Sequence, residues 1–398
     1  MLDLSHFAHG QARSDLQRII KDAVSWRRDF HQHPELLYAV VRTAGKVAER
    51  LRAFGCDQVV EGIGQTGVVG IINGQSSTGG PTIAIRADMD ALPITEQTGA
   101  AYQSLEPGMM HACGHDGHTS ILLGAARYLA QTRNFSGRLV LIFQPAEEGG
   151  KGAQAMVNEG LMERFGIEEV YALHNMPGLP VGQFAITAGP IMAASDRFKI
   201  TVNGRGGHAA SPHLTIDPLV ISAYLVTSLQ TIVSRSIDPL DNAVVTVGTI
   251  NGGQAPNVIA DQVVLRGTVR SLNERTRKHC QDQLVQICDR LTQAFGGRAT
   301  VDYDLGHPVT LNHTDATRIL ADAARCVVGA DAVDDAVAPF MGSEDFAFML
   351  HARPGAYIFM GNGDSAPLHH SGYDFNDEAM GYGIGLWIAL VEARLGRS

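Results

Sequence analysis

The sequence contains no stretch approaching the roughly 18 uncharged apolar residues of a membrane-spanning helix. It has no cluster of Lys and Arg. Against 31 basic side chains stand 41 acidic ones, a formal net charge of −10. An acidic chain without a basic patch is a poor ligand for phosphate backbones, so neither nucleic acid nor membrane is an expected partner. It has no Cys-x-x-Cys pair. The five cysteines, at 56, 113, 280, 288 and 326, are odd in number and scattered, which argues against a disulfide framework and for a reducing, cytoplasmic setting. Residues 1–17 lack a basic flank followed by an apolar run, so no signal peptide is expected. Internal repeats and low-complexity segments are missing too. What remains is globular composition, 45% hydrophobic and 18% charged, which excludes disorder, collagen and coiled coil. At roughly 150 residues per domain, the 398 residues suggest two or three domains.

Leu16, Ile19, Ile20, Ala23 and Val24 recur at helical spacing and predict a helix over 14–31, ended by His33-Pro34. A second helix is expected over 43–54, with Gly55 as its stop. Apolar runs at 67–72, 82–85, 138–143 and 170–173 read as strands, and 119–131 as a helix. Buried strands alternating with helices predict an α/β fold, a central sheet with helices on both faces. The pattern changes after about residue 185. Phe198, Ile200 and Val202 alternate, then a helix (217–234), two strands (243–250 and 262–269) and a helix (273–295) follow. That β-α-β-β-α order predicts a small open sheet with helices on one face. From about 301 the first pattern resumes, with a strand at 355–360 and a closing helix at 377–395.

The densest chemical signal is His111-Ala-Cys-Gly-His-Asp-Gly-His118. Thiol, imidazole and carboxylate together suit a borderline cation such as zinc, manganese, cobalt or nickel. The plain alternative is a His-rich surface loop. The second signal is Gln144-Pro-Ala-Glu-Glu-Gly-Gly150, just past an apolar strand. Of two adjacent carboxylates, one can ligate a metal while the other moves a proton; alone, such a pair is usually a solvated turn. His174 closes another apolar run, Asp88 and Asp90 follow a third, and Pro367-Leu-His-His370 follows a fourth. Each has an ordinary structural reading by itself. Their repeated placement at strand ends, where ligand sites of α/β sheets collect, argues for one shared site. Gly62-Ile-Gly-Gln-Thr-Gly67 invites a nucleotide-loop reading, but it precedes a strand rather than a helix, so phosphate-binding geometry is missing. Cys280 and Cys288 fall on one helix and read as packed thiols.

Arg86-Ala-Asp-Met-Asp-Ala-Leu-Pro93, the Cys-Gly-His-Asp-Gly-His-Thr run from 113, Gln-Pro-Ala-Glu-Glu-Gly from 144, Gly-Gly-His at 206–208, Asn257-Val-Ile, Met341-Gly-Ser-Glu-Asp-Phe346 and Leu-His-His followed by Tyr-Asp-Phe-Asn-Asp377 occur in order over almost the whole chain. Together they resemble the hippurate hydrolase and auxin–amino-acid hydrolase group of N-acyl-amino-acid amidohydrolases, within the dinuclear-metal aminoacylase and carboxypeptidase superfamily. The resemblance implies a metallopeptidase-like catalytic domain, discontinuous over 1–186 and 301–398, and a ferredoxin-like α+β lid or dimerisation domain over 187–300. It implies two divalent ions held by Cys113, His115, Glu148, His174 and His369, with Cys113 in place of a bridging acid. The neighbouring His370 is set aside by the same pattern. Asp90 would orient a ligand, and Glu147 would be the general acid/base. His208 would reach a neighbouring protomer's site and polarise the scissile carbonyl. Asn257 and Arg270 would hold the substrate carboxylate.

The implied activity is hydrolysis of the amide bond of N-acyl amino acids by a homodimer or higher homo-oligomer. A dipeptidase, carboxypeptidase or other deacylase on the same scaffold is the alternative enzyme. A catalytically inactive metal-containing binding protein is the alternative from another class, and loss of Glu147 would be its mark. The departures from the family pattern are Ala260, where proline is common, and Tyr38-Ala-Val-Val-Arg, which lacks the usual acid after His-Pro-Glu.

Overall fold

The helical period that opens the chain is realised as α1 (Gln11–Gln32), and the next as α2 (Val41–Phe54), closed by Gly55 in the left-handed conformation. These elements belong to a computed structural model that describes residues 11–76 and 80–396; residues 1–10, over which no signal peptide was expected, lie outside the described residues. The chain continues through β1 (Gln58–Ile63), β2 (Gly67–Asn73), β3 (Thr82–Asp88), α3 (His115–Thr132), β4 (Arg138–Gln144), α4 (Gly152–Asn158), β5 (Glu169–Pro177) and β6 (Phe184–Ala185). Next come β7 (Ala194–Asn203), α5 (Pro218–Thr231), β8 (Ala243–Gly252), β9 (Gln262–Ser271), α6 (Glu274–Ala294) and β10 (Arg298–His307). The last are α7 (Thr314–Val328), β11 (Val333–Asp334), β12 (Gly355–Gly363) and α8 (Met380–Leu395).

Two units result. One takes in the described residues up to Ile191, Leu311–Ala338 and the described residues from Asp345; the other is Met192–Thr310 with Pro339–Glu344. The sequence boundary at 300/301 falls inside β10, which pairs along β7 from Arg298 to His307, and a strand cannot leave its sheet midway. The second unit therefore runs to Thr310.

The larger unit is an eight-stranded mixed sheet, ordered β1-β2-β4-β3-β5-β12-β6-β11. Its middle strands β4, β3, β5 and β12 are parallel, so their C-terminal ends share one edge. Their interiors are buried almost without interruption, as expected where helices cover both faces. Strand β1 has only one buried residue; it is an edge strand without an apolar run, and periodicity alone gives no sign of it. Helix α3 begins at His115, four residues before the apolar period, because His115, Asp116 and His118 are polar yet buried.

The smaller unit is an antiparallel four-stranded sheet, β8-β9-β7-β10. Phe198, Ile200, Val202, Val263 and Leu265 meet Ile221, Leu225 and Leu229 of α5 and Cys280, Leu284 and Cys288 of α6 in one core. Cys280 and Cys288 are thus packed thiols. No described helix is long and apolar enough to cross a membrane.

Candidate metal centre and catalytic residues

The shared edge of the parallel strands is where the chemistry gathers. Asp88 ends β3, Gln144 ends β4, and His174 lies within β5, three residues before its end rather than beyond it. Gly114 precedes α3 at φ +93°, and a side chain there would clash with Asn175 and Tyr373. This turn puts Cys113 in the loop and His115 at the first helical position.

Cys113, His115 and His174 form one group of donor atoms within 4.8 Å of one another, and Cys113, Glu148 and His369 form a second. Cys113 is common to both. Its Sγ lies 3.3 Å from His174 Nε2. His174 Nδ1 lies 2.7 Å from the Asn175 carbonyl and His115 Nδ1 lies 2.8 Å from that of Asp90. Carbonyls accept, so each ring donates from Nδ1 and leaves Nε2 as the atom for a metal, the arrangement of metal-ligating histidines. His369 Nε2 lies 3.1 Å from Glu148 Oε1. His369 holds φ +63° and donates its N–H to the Ala112 carbonyl at 2.8 Å. That backbone is costly for a non-glycine residue, by about 1–3 kcal/mol. His370 is engaged differently: its Nδ1 accepts from the Gly372 N–H at 3.0 Å.

The electrostatics favour a cation. Burial opposes a charge on His115, yet Asp88, Asp90 and Glu148 outweigh it and push its pKa up to about 10. Burial, then Glu148, Glu147 and Asp88, push the Cys113 thiol well above its ordinary value, so a thiolate there requires a positive neighbour. Burial also works against an ionised Glu148, but His369 and His115 hold its carboxyl below the usual range. His115 Nε2 and Glu148 Oε1 are buried with no hydrogen-bond partner. Orphaned donors, a thiol and converging carboxylates fit divalent ions.

Asp90 is fully buried. Its Oδ1 accepts the Glu147 N–H at 2.9 Å and its Oδ2 the Glu148 N–H at 3.1 Å. Its carboxylate thus holds the acidic loop, while its carbonyl orients His115. Glu147 is buried and groups with His115 and Glu148. His118 and Asp88 stood in the sequence motifs but were given no role there. His118 lies 2.7 Å from Asp88 Oδ1 through Nδ1 and accepts the Asn175 N–H at 3.1 Å through Nε2. Asp88 Oδ2 stands 3.6 Å from His115 Nε2. The available signal was spacing: His115 and His118 are three apart on a helix and share a face. Behind them His31 faces Asp116 at 2.9 Å; burial disfavours its charge, but Asp116 and Glu96 push its pKa up to about 9.

His208, Asn257 and Arg270 lie in the smaller unit. His208 pairs with Val258 in a short ribbon, and Ala209 donates its N–H to the Asn257 carbonyl at 3.0 Å. His208 is exposed, and its Nδ1 accepts the Ala210 N–H at 3.0 Å, so the ring's donor is Nε2. Arg270, on β9, is half-buried with its Nη1 unpartnered. Burial and then Arg197 lower its pKa.

The family model for peptidase family M20/M25/M40 matches residues 84–393, a span that includes both donor groups, Asp90, Glu147 and the residues of the smaller unit named above. The chain is 42% identical to hippurate hydrolase of Campylobacter jejuni over 354 residues, covering 89% of this chain and 91% of that one. It is 40% identical over 367 residues to N-acetyl-L-cysteine deacetylase of Bacillus subtilis, covering 92% and 86%. The crystal structure of the YXEP protein of Bacillus subtilis, described as a dinuclear metal binding peptidase, superposes with a TM-score of 0.82 at 31% identity over 95% of this chain and 99% of that one. With the donor groups at the strand ends and a match across most of its length, this chain belongs to peptidase family M20/M25/M40.

Proposed function

We propose that the protein hydrolyses the amide bond of N-acyl amino acids with the aid of two divalent ions. The observation that carries this reading is the Cys113 thiol common to two donor groups, with the Glu147 carboxylate beside them. His115 and His174 would hold one ion with Cys113, and Glu148 and His369 the other. Thiol, imidazole and carboxylate together suit zinc, manganese, cobalt or nickel better than magnesium or calcium. When bound, such ions supply Lewis acidity, polarising a carbonyl and acidifying water. Glu147 takes the proton of the attacking water and returns it to the departing amine, which would otherwise leave as an unstable anion. Asp90 fixes that carboxylate through the backbone of its loop. The names of the relatives, a hippurate hydrolase and an N-acetylcysteine deacetylase, agree with an acyl group on one side and an amino acid on the other.

The smaller unit is assigned as lid and dimerisation domain. Leu219, Val220 and Tyr224 of α5 are exposed, and β8 is an edge strand with exposed Val244 and Ile250. An apolar helix face beside a sheet edge suits a second copy of the chain. The unpartnered Nη1 of Arg270 suits a carboxylate, which a guanidinium binds through paired hydrogen bonds; Asn257 adds a polar contact.

Acetyl-, benzoyl- and indoleacetyl-amino acids, with dipeptides as the comparison, test the substrate class on protein reloaded with each metal. Acyl-amino acids are expected to exceed dipeptides in kcat/KM. Amidating the substrate carboxylate is expected to lower kcat/KM by on the order of 10²-fold in wild type, the worth of a charged hydrogen-bonded pair, and far less in Arg270→Ala. Equal losses in both proteins would remove Arg270 from the binding role.

The Nε2 donor of the exposed His208 suits the carbonyl oxygen of a substrate held by the partner protomer. Glu147→Gln and His208→Ala are each expected to be inactive, and their mixed dimer to regain turnover, since one of its sites then has both wild-type residues. A verified mixed dimer without recovery, from folded and metal-loaded parents, would refute action across the dimer.

A further inference from the structure

The segment between β4 and α4, which carries Glu147 and Glu148, is an awkward piece of backbone. Ala146 and Lys151 adopt φ values of +55° and +56°, a region non-glycine residues enter only when held there. At its neck the loop closes on itself: Gly152 donates to the Ala146 carbonyl at 3.0 Å, and a Cβ on Gly152 would stand 1.7 Å from the Pro145 oxygen. Asp345, far away in sequence, holds both ends. Its Oδ1 accepts from Gln144 Nε2 at 2.7 Å, at the end of β4, and its Oδ2 accepts the Ala153 N–H at 2.9 Å, at the start of α4. Its own N–H points at Glu147 Oε1, a long contact of 3.5 Å, in the middle of the loop. Arg86 closes the arrangement. Its Nη2 donates to Asp345 Oδ1 at 3.1 Å, its Nε to Gln144 Oε1 at 2.8 Å, and its Nη1 to Asp88 Oδ2 at 2.8 Å. Arg86, Gln144 and Asp345 are all buried.

We propose that Asp345 is a positioning residue that clamps the acidic loop at both ends and so sets where the Glu147 carboxylate stands. This rests on the assignment of Glu147 as the group that moves the proton. Asp90 supports the loop from within, through the N–H groups of Glu147 and Glu148. Asp345 acts from outside, on the two hinges about which the loop would otherwise relax, because its carboxylate joins residues 144 and 153 through adjacent oxygens. Asp345→Asn keeps an oxygen for Arg86 and Gln144 but turns an amide against the Ala153 N–H, so one hinge is released while the volume is preserved.

The test is a double-mutant cycle. The kcat and KM for N-benzoylglycine are measured in wild type, Asp345→Asn, Glu147→Gln and the double variant, with metal content by elemental analysis. A displacement of about 1 Å at a reacting group costs on the order of 10²-fold in rate. Asp345→Asn is therefore expected to lower kcat by about that factor, with KM and metal content near wild type. In the Glu147→Gln background the same change is expected to cost less than about threefold, since residues acting as a unit are not additive. An equal loss in both backgrounds, loss of metal from Asp345→Asn, or unaltered kcat in that variant would overturn the clamp. Near-normal turnover of Glu147→Gln alone would instead overturn the assignment of Glu147, and the clamp with it. If Asp345→Asn fails to fold, Gln144→Met removes one hinge bond and is judged by the same cycle.

Discussion

Glu147→Gln is expected to lower kcat by about 10²–10⁴-fold, the usual contribution of general acid–base catalysis, with both ions retained and the fold intact. The substitution is nearly isosteric. It leaves the Glu147 N–H on Asp90 Oδ1 and the Glu148 N–H on Asp90 Oδ2, so the loop keeps its anchor. It removes only the capacity to take up and return a proton. Because Glu147 lies within the donor group of His115 and Glu148, the alternative is that it ligates metal directly. Elemental analysis separates the two roles: a ligand would lose metal together with rate, a proton carrier only rate. A variant turning over within about threefold of wild type would leave no room for a 10²-fold acid–base contribution from this residue.

Cys113→Ala is expected to lose metal and activity together. The thiol is buried among Glu148, Glu147 and Asp88, all of which oppose its ionisation. A free thiolate at that place is therefore unfavourable, and the group earns its keep only beside a cation. Since its Sγ is common to both donor groups, its removal weakens both ions at once. Outer partners of metal ligands typically change affinity by about 10–100-fold when removed, so loss of a direct donor is expected to exceed that range. The measurement is metal content after gel filtration, read beside circular dichroism. Full occupancy in a folded Cys113→Ala protein would show that the ions are held without the thiol.

Much of the fold was legible because the sheet is buried on both faces. Apolar runs at 67–72, 82–85, 138–143, 170–173 and 355–360 lie within β2, β3, β4, β5 and β12. The alternation of Phe198, Ile200 and Val202 is the inward face of β7. What escaped was structure without an apolar signature. Strand β1 is exposed at the edge of its sheet, and the first turn of α3 is made of polar side chains buried by the site itself. Residues 298–307 form one strand although no composition change marks its end.

The sequence by itself marked thiol, imidazole and paired carboxylates at strand ends as candidates for one site, because such groups carry their chemistry in their types; the role of each came from the family resemblance. It also placed His208, Asn257 and Arg270 in a separate segment, since the periodic pattern changes there. Only the tertiary structure decided how the donors are shared and held. That Cys113 serves two groups, that His369 faces Glu148 while His370 turns to Gly372, and that Asp90 holds the loop of Glu147 are facts of side-chain direction. The partners of Arg86 show why: Asp345 is 259 residues away along the chain. A contact of that kind depends on the order of strands in the sheet, and no local pattern of residues encodes it.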